Sequence, residues 1–195
     1  MARRLSGEGG FGIIELLIAM LVLALGIMAI VAGFSSGIIA LDRASRAGTA
    51  GTLADKQLEG YRALGFDGIL LTDSPSPALD ATHTTDPAYD ATNAVPTGTC
   101  TGSPTCSPLQ SPVTGADGRA YRVDTYIAWS CPAGSPVYVG TFGPETYTQA
   151  SPGCLDPVTN DLLSRPVKQI TVVVRDGADT TKTYIRVTST FDAAT

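Results

Sequence analysis

The chain of 195 residues contains a single histidine, one tryptophan and four cysteines, and only 16% of its residues are charged. Because His83 is the only histidine and lies among threonines, no Ser-His-Asp arrangement has local motif support. With 13 basic against 18 acidic residues, the formal net charge of -5 argues against a basic nucleic-acid-binding protein. We therefore expect no enzyme, and no metal or cofactor.

Charged residues are also absent from Leu16 to Leu41, a run of 26 residues. As a helix this run spans about 39 Å, more than the roughly 30 Å of a bilayer core. Arg3 and Arg4 precede it and no comparable basic cluster follows closely, so the positive-inside tendency predicts a single-pass protein of the cytoplasmic membrane, N-in and C-out. A secretory signal peptide is disfavoured, because the run is too long and no small-x-small cleavage site ends it.

One carboxylate, Glu15, lies near the start of residues 11–41, which otherwise carry no charge and include 24 apolar residues out of 31. In lipid such a group costs about 2.5–3.5 kcal/mol at the bilayer centre and less near the interface, so we expect it to have a partner or a function. Cleavage after Gly10 would create an α-amino group at Phe11, which a neighbouring, axially shifted helix could present to Glu15. A glutamate tolerated near the headgroups is the plainer interpretation.

Residues Gly10 to Gly26, Gly-Phe-Gly-Ile-Ile-Glu-Leu-Leu-Ile-Ala-Met-Leu-Val-Leu-Ala-Leu-Gly, resemble the class III signal of type IV prepilins and type II secretion pseudopilins. The resemblance is close over about the first 45 residues. It implies cleavage by prepilin peptidase between Gly10 and Phe11, N-methylation of Phe11, and packing against other pilin subunits in a filament core. In that packing Glu15 would set the register.

Major pilins usually carry a proline about twenty residues into the mature helix, whereas Ile30 to Phe34 contains none. The stretch from Leu21 to Ala29 instead resembles minor pilins of the PilV kind and related pseudopilins. The resemblance therefore favours a minor, PilV-like pilin. A type II secretion or DNA-uptake pseudopilin is the alternative, and a membrane-anchored extracellular binding domain that never polymerises is a second. Since Gly26 and Gly33 could weaken the helix in place of proline, a major-pilin role also stays open.

The expected fold is α+β and type IV pilin-like, with a long N-terminal helix packed on a small, mostly antiparallel sheet. Small and apolar residues between Leu41 and Leu64 recur at spacings of three and four, which predicts a helix face that lies against a sheet, with a stop at Gly65. The expected segments are a cleaved leader (1–10), a transmembrane or filament-core helix (11–41), an amphipathic helix (42–67), a Pro/Thr/Ser-rich acidic surface loop (68–118) and a β-sheet domain (119–195).

Between Thr72 and Gly118 there is no Lys or Arg, but there are seven of the 13 prolines and five aspartates: Asp73, Asp80, Asp86, Asp90 and Asp117. The resemblance implies that this loop lies on the filament surface. A flexible spacer without a specific ligand is the plainer interpretation, and His83 is then an exposed loop histidine.

Beyond the loop, alternating apolar and polar residues predict three or four mostly antiparallel strands, with a turn at Asp176-Gly177. The apolar positions are Tyr121, Val123, Ile127, Trp129, Ile170, Val172, Val174, Ile185, Val187 and Phe191, with Val137 to Phe142 as a further strand segment. Arg122, Asp124 and Ser130 fall on the opposite face.

The four cysteines permit three disulfide pairings, and export makes disulfides expected. Proximity favours Cys100 with Cys106 and Cys131 with Cys154, each contributing about 2–4 kcal/mol by the chain-entropy estimate. A zinc site is disfavoured because no Cys-x-x-Cys pair occurs. Calcium binding by Asp156, Asn160 and Asp161 or by the loop aspartates is disfavoured as well, because neither set has EF-hand spacing.

Overall fold

A computed structural model describes residues 12–100, 104–131, 137–138, 140–142, 145–147, 153–155, 162–164 and 166–192. The chain forms two compact units, of which the first ends at Ala44 and the second begins at Ser45. The helices are α1 (Ile13–Arg62) and α2 (Ala81–Thr84), with a 3-10 turn at Phe66–Gly68. The strands are β1 (Leu109–Thr114), β2 (Ala120–Ser130), β3 (Val137–Tyr138), β4 (Gly140–Phe142), β5 (Glu145–Tyr147), β6 (Gly153–Leu155), β7 (Leu162–Ser164), β8 (Val167–Asp176) and β9 (Thr183–Phe191).

The long helix α1 runs for 50 residues without a proline. Glu15 in its first turn and Arg62 in its last turn both have the sign that the helix dipole favours. The helix ends three residues before the predicted stop at Gly65, which has extended backbone (φ −65°, ψ 157°) and precedes the 3-10 turn. The predicted helix over residues 42–67 is therefore correct in place and slightly too long.

The main sheet is four-stranded and antiparallel, in the order β1-β2-β8-β9. Its two central strands pair over ten residues, with Ile127 opposite Ile170, and the outer strand β9 places Val187 opposite Val172. The predicted α+β class, a long N-terminal helix with a mostly antiparallel sheet, is confirmed.

The core of the second unit lies between α1 and the apolar face of this sheet. Ala50 and Ala54 are fully buried, and their small side chains allow the helix to approach the strands closely. The other large buried contributions come from Leu58 and Tyr61 of α1, Tyr121, Val123, Ile127 and Trp129 of β2, and Ile170, Val172 and Val174 of β8. These are the positions that the helical and alternating periodicities predict.

A buried lysine holds the 3-10 turn that follows α1 against the sheet. Lys168 of β8 is 4% exposed, and its Nζ donates to the carbonyl oxygens of Phe66 at 2.7 Å and Ile69 at 2.8 Å. The same ammonium lies 4.6 Å from the centre of the Phe66 ring and 5.4 Å from that of Trp129. Burial lowers the pKa of Lys168, and the charge of Asp67 opposes that effect.

Residues 137–164 are arranged differently from the prediction. Val137 to Phe142 was expected to join the main sheet, but β3 pairs with β6 in a small sheet of order β3-β6-β7, and β4 pairs with β5 in a separate hairpin. Short strands between Pro- and Gly-rich segments lack the long alternation that would extend the main sheet.

The predicted surface loop, residues 68–118, also contains part of the sheet. Its end forms the edge strand β1, paired with β2, and Ala94 bridges Ala128 further along the same edge. Backbone hydrogen bonds from Val95 to Ile127 (3.0 Å) and from Trp129 to Asn93 (2.7 Å) continue that pairing. The interpretation as a flexible spacer is therefore wrong for much of this segment.

Candidate functional site

The most unusual surface of the molecule is the apolar half of α1, residues 13–41, which we call the apolar segment. All 18 of its large apolar side chains are 53% to 82% exposed. By length and composition α1 is, among the described residues, the one helix that could cross a membrane. Apolar surface of this extent marks a region that lipid or protein covers.

Two serines in the apolar segment have internal hydrogen-bond partners. The hydroxyl of Ser35 donates to the Val31 carbonyl at 2.9 Å, and that of Ser36 donates to the Ala32 carbonyl at 3.1 Å. Since an unpaired donor is costly in hydrocarbon, these bonds make the serines compatible with a lipid or helix-packed environment.

Glu15 is the one charged residue of the apolar segment and occupies the first turn of α1. Along the helix the next basic residue is Arg43, 28 positions later, which corresponds to about 42 Å. No cation of the same described helix is therefore near its carboxylate. The predicted cleavage and methylation residues, Gly10 and Phe11, lie outside the described residues.

A polar site that the sequence did not predict lies on the main sheet, on the face opposite the one that packs against α1. It consists of three carboxylates and three guanidinium groups, which we call the charged cluster: Asp80, Asp86, Asp124, Arg122, Arg175 and Arg186. The residues come from the loop around α2 and from β2, β8 and β9, and their formal charges sum to zero.

Asp124 is the centre of the charged cluster and is fully buried. Its carboxylate accepts hydrogen bonds from Arg122 Nε at 2.9 and 3.1 Å and from Arg175 Nε at 2.8 Å. The loop supplies the outer carboxylates. Asp80 accepts from Arg122 Nη2 at 2.8 Å, while Asp86 accepts from Arg186 at 2.8 Å and also pairs with Arg175.

The charged cluster shifts the pKa values of its loop carboxyls. The hydrogen bond from Arg122 lowers the pKa of Asp80 to about 2, although partial burial opposes this. Burial by itself would raise the pKa of Asp86, but hydrogen bonds from Arg186 and the Ala88 backbone, together with the nearby arginine charges, lower it. Both carboxyls are therefore ionised at neutral pH, as the pairing requires.

His83 is 2% exposed, so its prediction as an exposed loop histidine is wrong. It belongs to α2, its ring stacks on Tyr126 with centroids 4.4 Å apart, and its Nδ1 lies 3.4 Å from Asp124. The capping carboxylate of Asp80 accepts from the His83 backbone N–H at 2.9 Å. Together with the charged cluster these contacts hold residues 80–90 against the sheet.

Both cysteine pairs favoured by proximity are bonded in the structure, Cys100 with Cys106 and Cys131 with Cys154, at Cα separations of 5.9 and 5.6 Å. The first disulfide lies beside α1. Gln57 Nε2 and Tyr61 Oη donate to the Thr105 carbonyl, each at 2.7 Å, so the residue next to Cys106 is fixed on the helix.

Within the described ranges, no group of three or more His, Cys, Asp or Glu side chains is placed to hold a metal ion. The calcium-ligand candidates Asp156, Asn160 and Asp161 lie outside those ranges. Three of the loop aspartates inside them, Asp80, Asp86 and Asp90, accept hydrogen bonds from nearby backbone N–H groups, and Asp80 and Asp86 also pair with arginines.

No protein-family model, curated protein or solved structure matches this chain. Membership of the type IV pilin family therefore stays a prediction from residues 10–26 and the apolar segment.

The sequence contains an indication of the charged cluster, but the alternation of apolar and polar residues does not reveal it. Alternation correctly placed Arg122 and Asp124 on the face of β2 opposite its apolar residues, but it does not indicate that they are buried. The missing clue was charge complementarity: a segment with aspartates and no Lys or Arg precedes strands that carry three arginines on that face. Oppositely charged groups of this kind can be buried only together.

Proposed function

We propose that this protein is a minor, PilV-like subunit of a type IV pilus or related filament. It is held in the cytoplasmic membrane, N-in and C-out, until prepilin peptidase cleaves between Gly10 and Phe11 and it joins other subunits. The observation that carries the proposal is the exposed apolar segment with its one carboxylate, Glu15.

The apolar segment requires an environment other than water. Covering a large aliphatic or aromatic side chain is worth about 1.5–3 kcal/mol, so 18 exposed ones correspond to tens of kcal/mol. Lipid covers them before assembly, and the corresponding helices of neighbouring subunits cover them afterwards. Lipid and neighbours are both apolar, so transfer between them has no large hydrophobic cost.

Glu15 supplies the specificity that apolar packing lacks. Hydrophobic contact between apolar helices is non-directional and permits many axial positions. A carboxylate in an apolar environment strongly favours the axial positions that pair it with a cation. The α-amino group of a processed Phe11 on a neighbouring subunit is such a cation. One ion pair per subunit would then define the axial register of the filament.

The test is Glu15→Ala, compared with Glu59→Ala, which removes an exposed carboxylate from the second unit. We expect both variants to be processed and inserted in the membrane. The Glu15 variant should be recovered in sheared filaments at a level reduced about tenfold or more, and the Glu59 variant at the wild-type level. Recovery of Glu15→Ala at the wild-type level would refute the assembly role.

Mass spectrometry of the mature N-terminus separates the proposal from a non-polymerising anchored domain. The proposal predicts a chain that begins at N-methylated Phe11. An intact N-terminus that retains residues 1–10 contradicts it. A pseudopilin gives the same mass, so the fraction in which the subunit is found, surface filament or secretion machine, decides between those two.

A further inference from the structure

From Ser45 onward, the described side chains include only two large apolar ones that are exposed, Leu79 at 39% and Tyr89 at 41%. Both line the same cavity, which has a volume of about 200 Å³ and lies between residues 71–97 and the edge of β2. Exposed apolar side chains that meet at one concave site are typical of an interaction surface.

The wall of this cavity is apolar and aromatic. Leu71, Pro75, Val95 and Ile127 contribute aliphatic surface, and the stacked rings of His83 and Tyr126 contribute aromatic surface. An apolar cavity of roughly 150 Å³ accommodates a benzene-sized group, whereas pockets for whole small-molecule ligands measure about 300–1,000 Å³. The cavity therefore has the size for one large side chain.

The lining of the cavity is also acidic. Its lining residues include Asp73 and Asp90 but no Lys or Arg. Arg186 lines an adjoining groove, where its guanidinium is paired with both oxygens of Asp86. Hydrogen bonds from Asn93 lower the pKa of Asp90, which keeps that carboxylate charged.

We propose that this acidic pocket docks one large apolar side chain of a partner protein, in a segment that carries lysine or arginine next to that side chain. The apolar wall supplies affinity for the anchor, and Asp73 and Asp90 select the flanking charge. A second copy of this chain fits less well, because its formal net charge of -5 gives like-charge repulsion. The proposal does not depend on assignment of the chain as a pilin.

The pocket is organised before a partner arrives. Its wall from Leu79 to Asp90 is fixed at two points, by the pairing of Asp80 with Arg122 and of Asp86 with Arg175 and Arg186. A fixed loop loses little conformational entropy on binding, which favours recognition of a short segment.

The test uses the full-length protein in detergent micelles and fluorescent pentapeptides with blocked termini, followed by fluorescence anisotropy. The first peptide has a central leucine and a lysine at each end. In one matched peptide, glutamates replace the two lysines. In a second, alanine replaces the central leucine. We expect each replacement to weaken binding about tenfold or more. In the protein, Leu79→Ser and Asp73→Asn should weaken binding of the first peptide, while Asp55→Asn, on the exposed face of α1, should not.

Any of three peptide-binding results would overturn the proposal: the lysine peptide binds no better than the glutamate peptide, the alanine peptide binds as well as the leucine peptide, or Leu79→Ser binds the first peptide like the wild type. A fourth result comes from benzene. Saturation by benzene that displaces no peptide would indicate a small-molecule cavity and would likewise contradict docking of a protein segment.

Discussion

Neutralising Asp124 tests most directly whether the charged cluster stabilises the second unit. Asp124→Asn keeps the size of the side chain but removes the negative charge that accepts from Arg122 and Arg175, two guanidinium groups that are 3% and 7% exposed. Removing one partner of a buried ion pair costs about 3–5 kcal/mol, because the remaining charge loses its compensation.

The structure narrows that range. Each arginine retains a second carboxylate, Asp80 for Arg122 and Asp86 for Arg175, so neither is left without a partner. Charge-assisted hydrogen bonds contribute about 1.5–3 kcal/mol each, and Asp124→Asn weakens the bonds from two arginines. We therefore expect a loss of about 3 kcal/mol in the free energy of unfolding of the second unit, out of the roughly 5–15 kcal/mol typical of a domain.

Urea unfolding of the full-length protein in micelles, followed by the fluorescence of Trp129, measures this loss. Trp129 is the only tryptophan, is 6% exposed and belongs to the core of the second unit, so its emission reports on that unit. Asp55→Asn is the matched control, because Asp55 is exposed on α1 and the same charge is removed. Its free energy of unfolding should stay within about 0.5 kcal/mol of the wild-type value.

A loss below about 1 kcal/mol for Asp124→Asn would refute the reasoning. A double-mutant cycle adds a second criterion. Asp124→Asn combined with Arg175→Met should cost less than the sum of the single changes, with a coupling of about 0.5–3 kcal/mol. Strict additivity would mean that the two buried groups do not stabilise one another.

The remaining predictions concern the loss of stability at low pH and the turn after β8. Because the pKa of Asp80 is lowered to about 2, its contribution to stability should be complete above about pH 4 and lost as the pH falls through about 2. Carboxyl NMR should give a titration midpoint near 2 for Asp80, and Arg122→Met should move it toward 4; a wild-type midpoint near 4 would contradict the pairing. A Cβ at Gly177 would lie 2.7 Å from the backbone carbonyl of Ala120, so Gly177→Ala should cost about 1–3 kcal/mol in urea unfolding. Gly65→Ala, where a Cβ meets open space, should be neutral or up to about 1 kcal/mol stabilising, and equal effects at both glycines would exclude the clash.

The helix and the main sheet could be predicted because their periodicities are local. Spacings of three and four placed Ala54, Leu58 and Tyr61 on one face of α1, and alternation placed Ile170 and Val172 on one face of β8. Both patterns follow from backbone geometry, so they need no knowledge of the partner element. The Asp176-Gly177 turn was found for the same reason.

The packing of residues 80–90 against the sheet could not be predicted in this way. A segment rich in Pro, Thr and Ser has no period, and its aspartates suit a solvated chain as well as a buried one. Asp86 is paired with arginines because β8 and β9 bring Arg175 and Arg186, which lie about 90 and 100 residues later in the chain, beside it. The candidate pocket depends on the same long-range pairing, because Leu79 and Tyr89 lie within the segment that these ion pairs hold.

The sequence by itself determined the long apolar helix, its one carboxylate at Glu15, and the α+β class, since length, hydropathy and period are properties of contiguous residues. Only the tertiary structure decided that His83 is buried, that Arg122 and Asp124 are covered, and that an apolar pocket lined by two aspartates exists. Burial of a charge is favourable only when a partner of opposite sign is brought beside it, and that is a property of the folded chain.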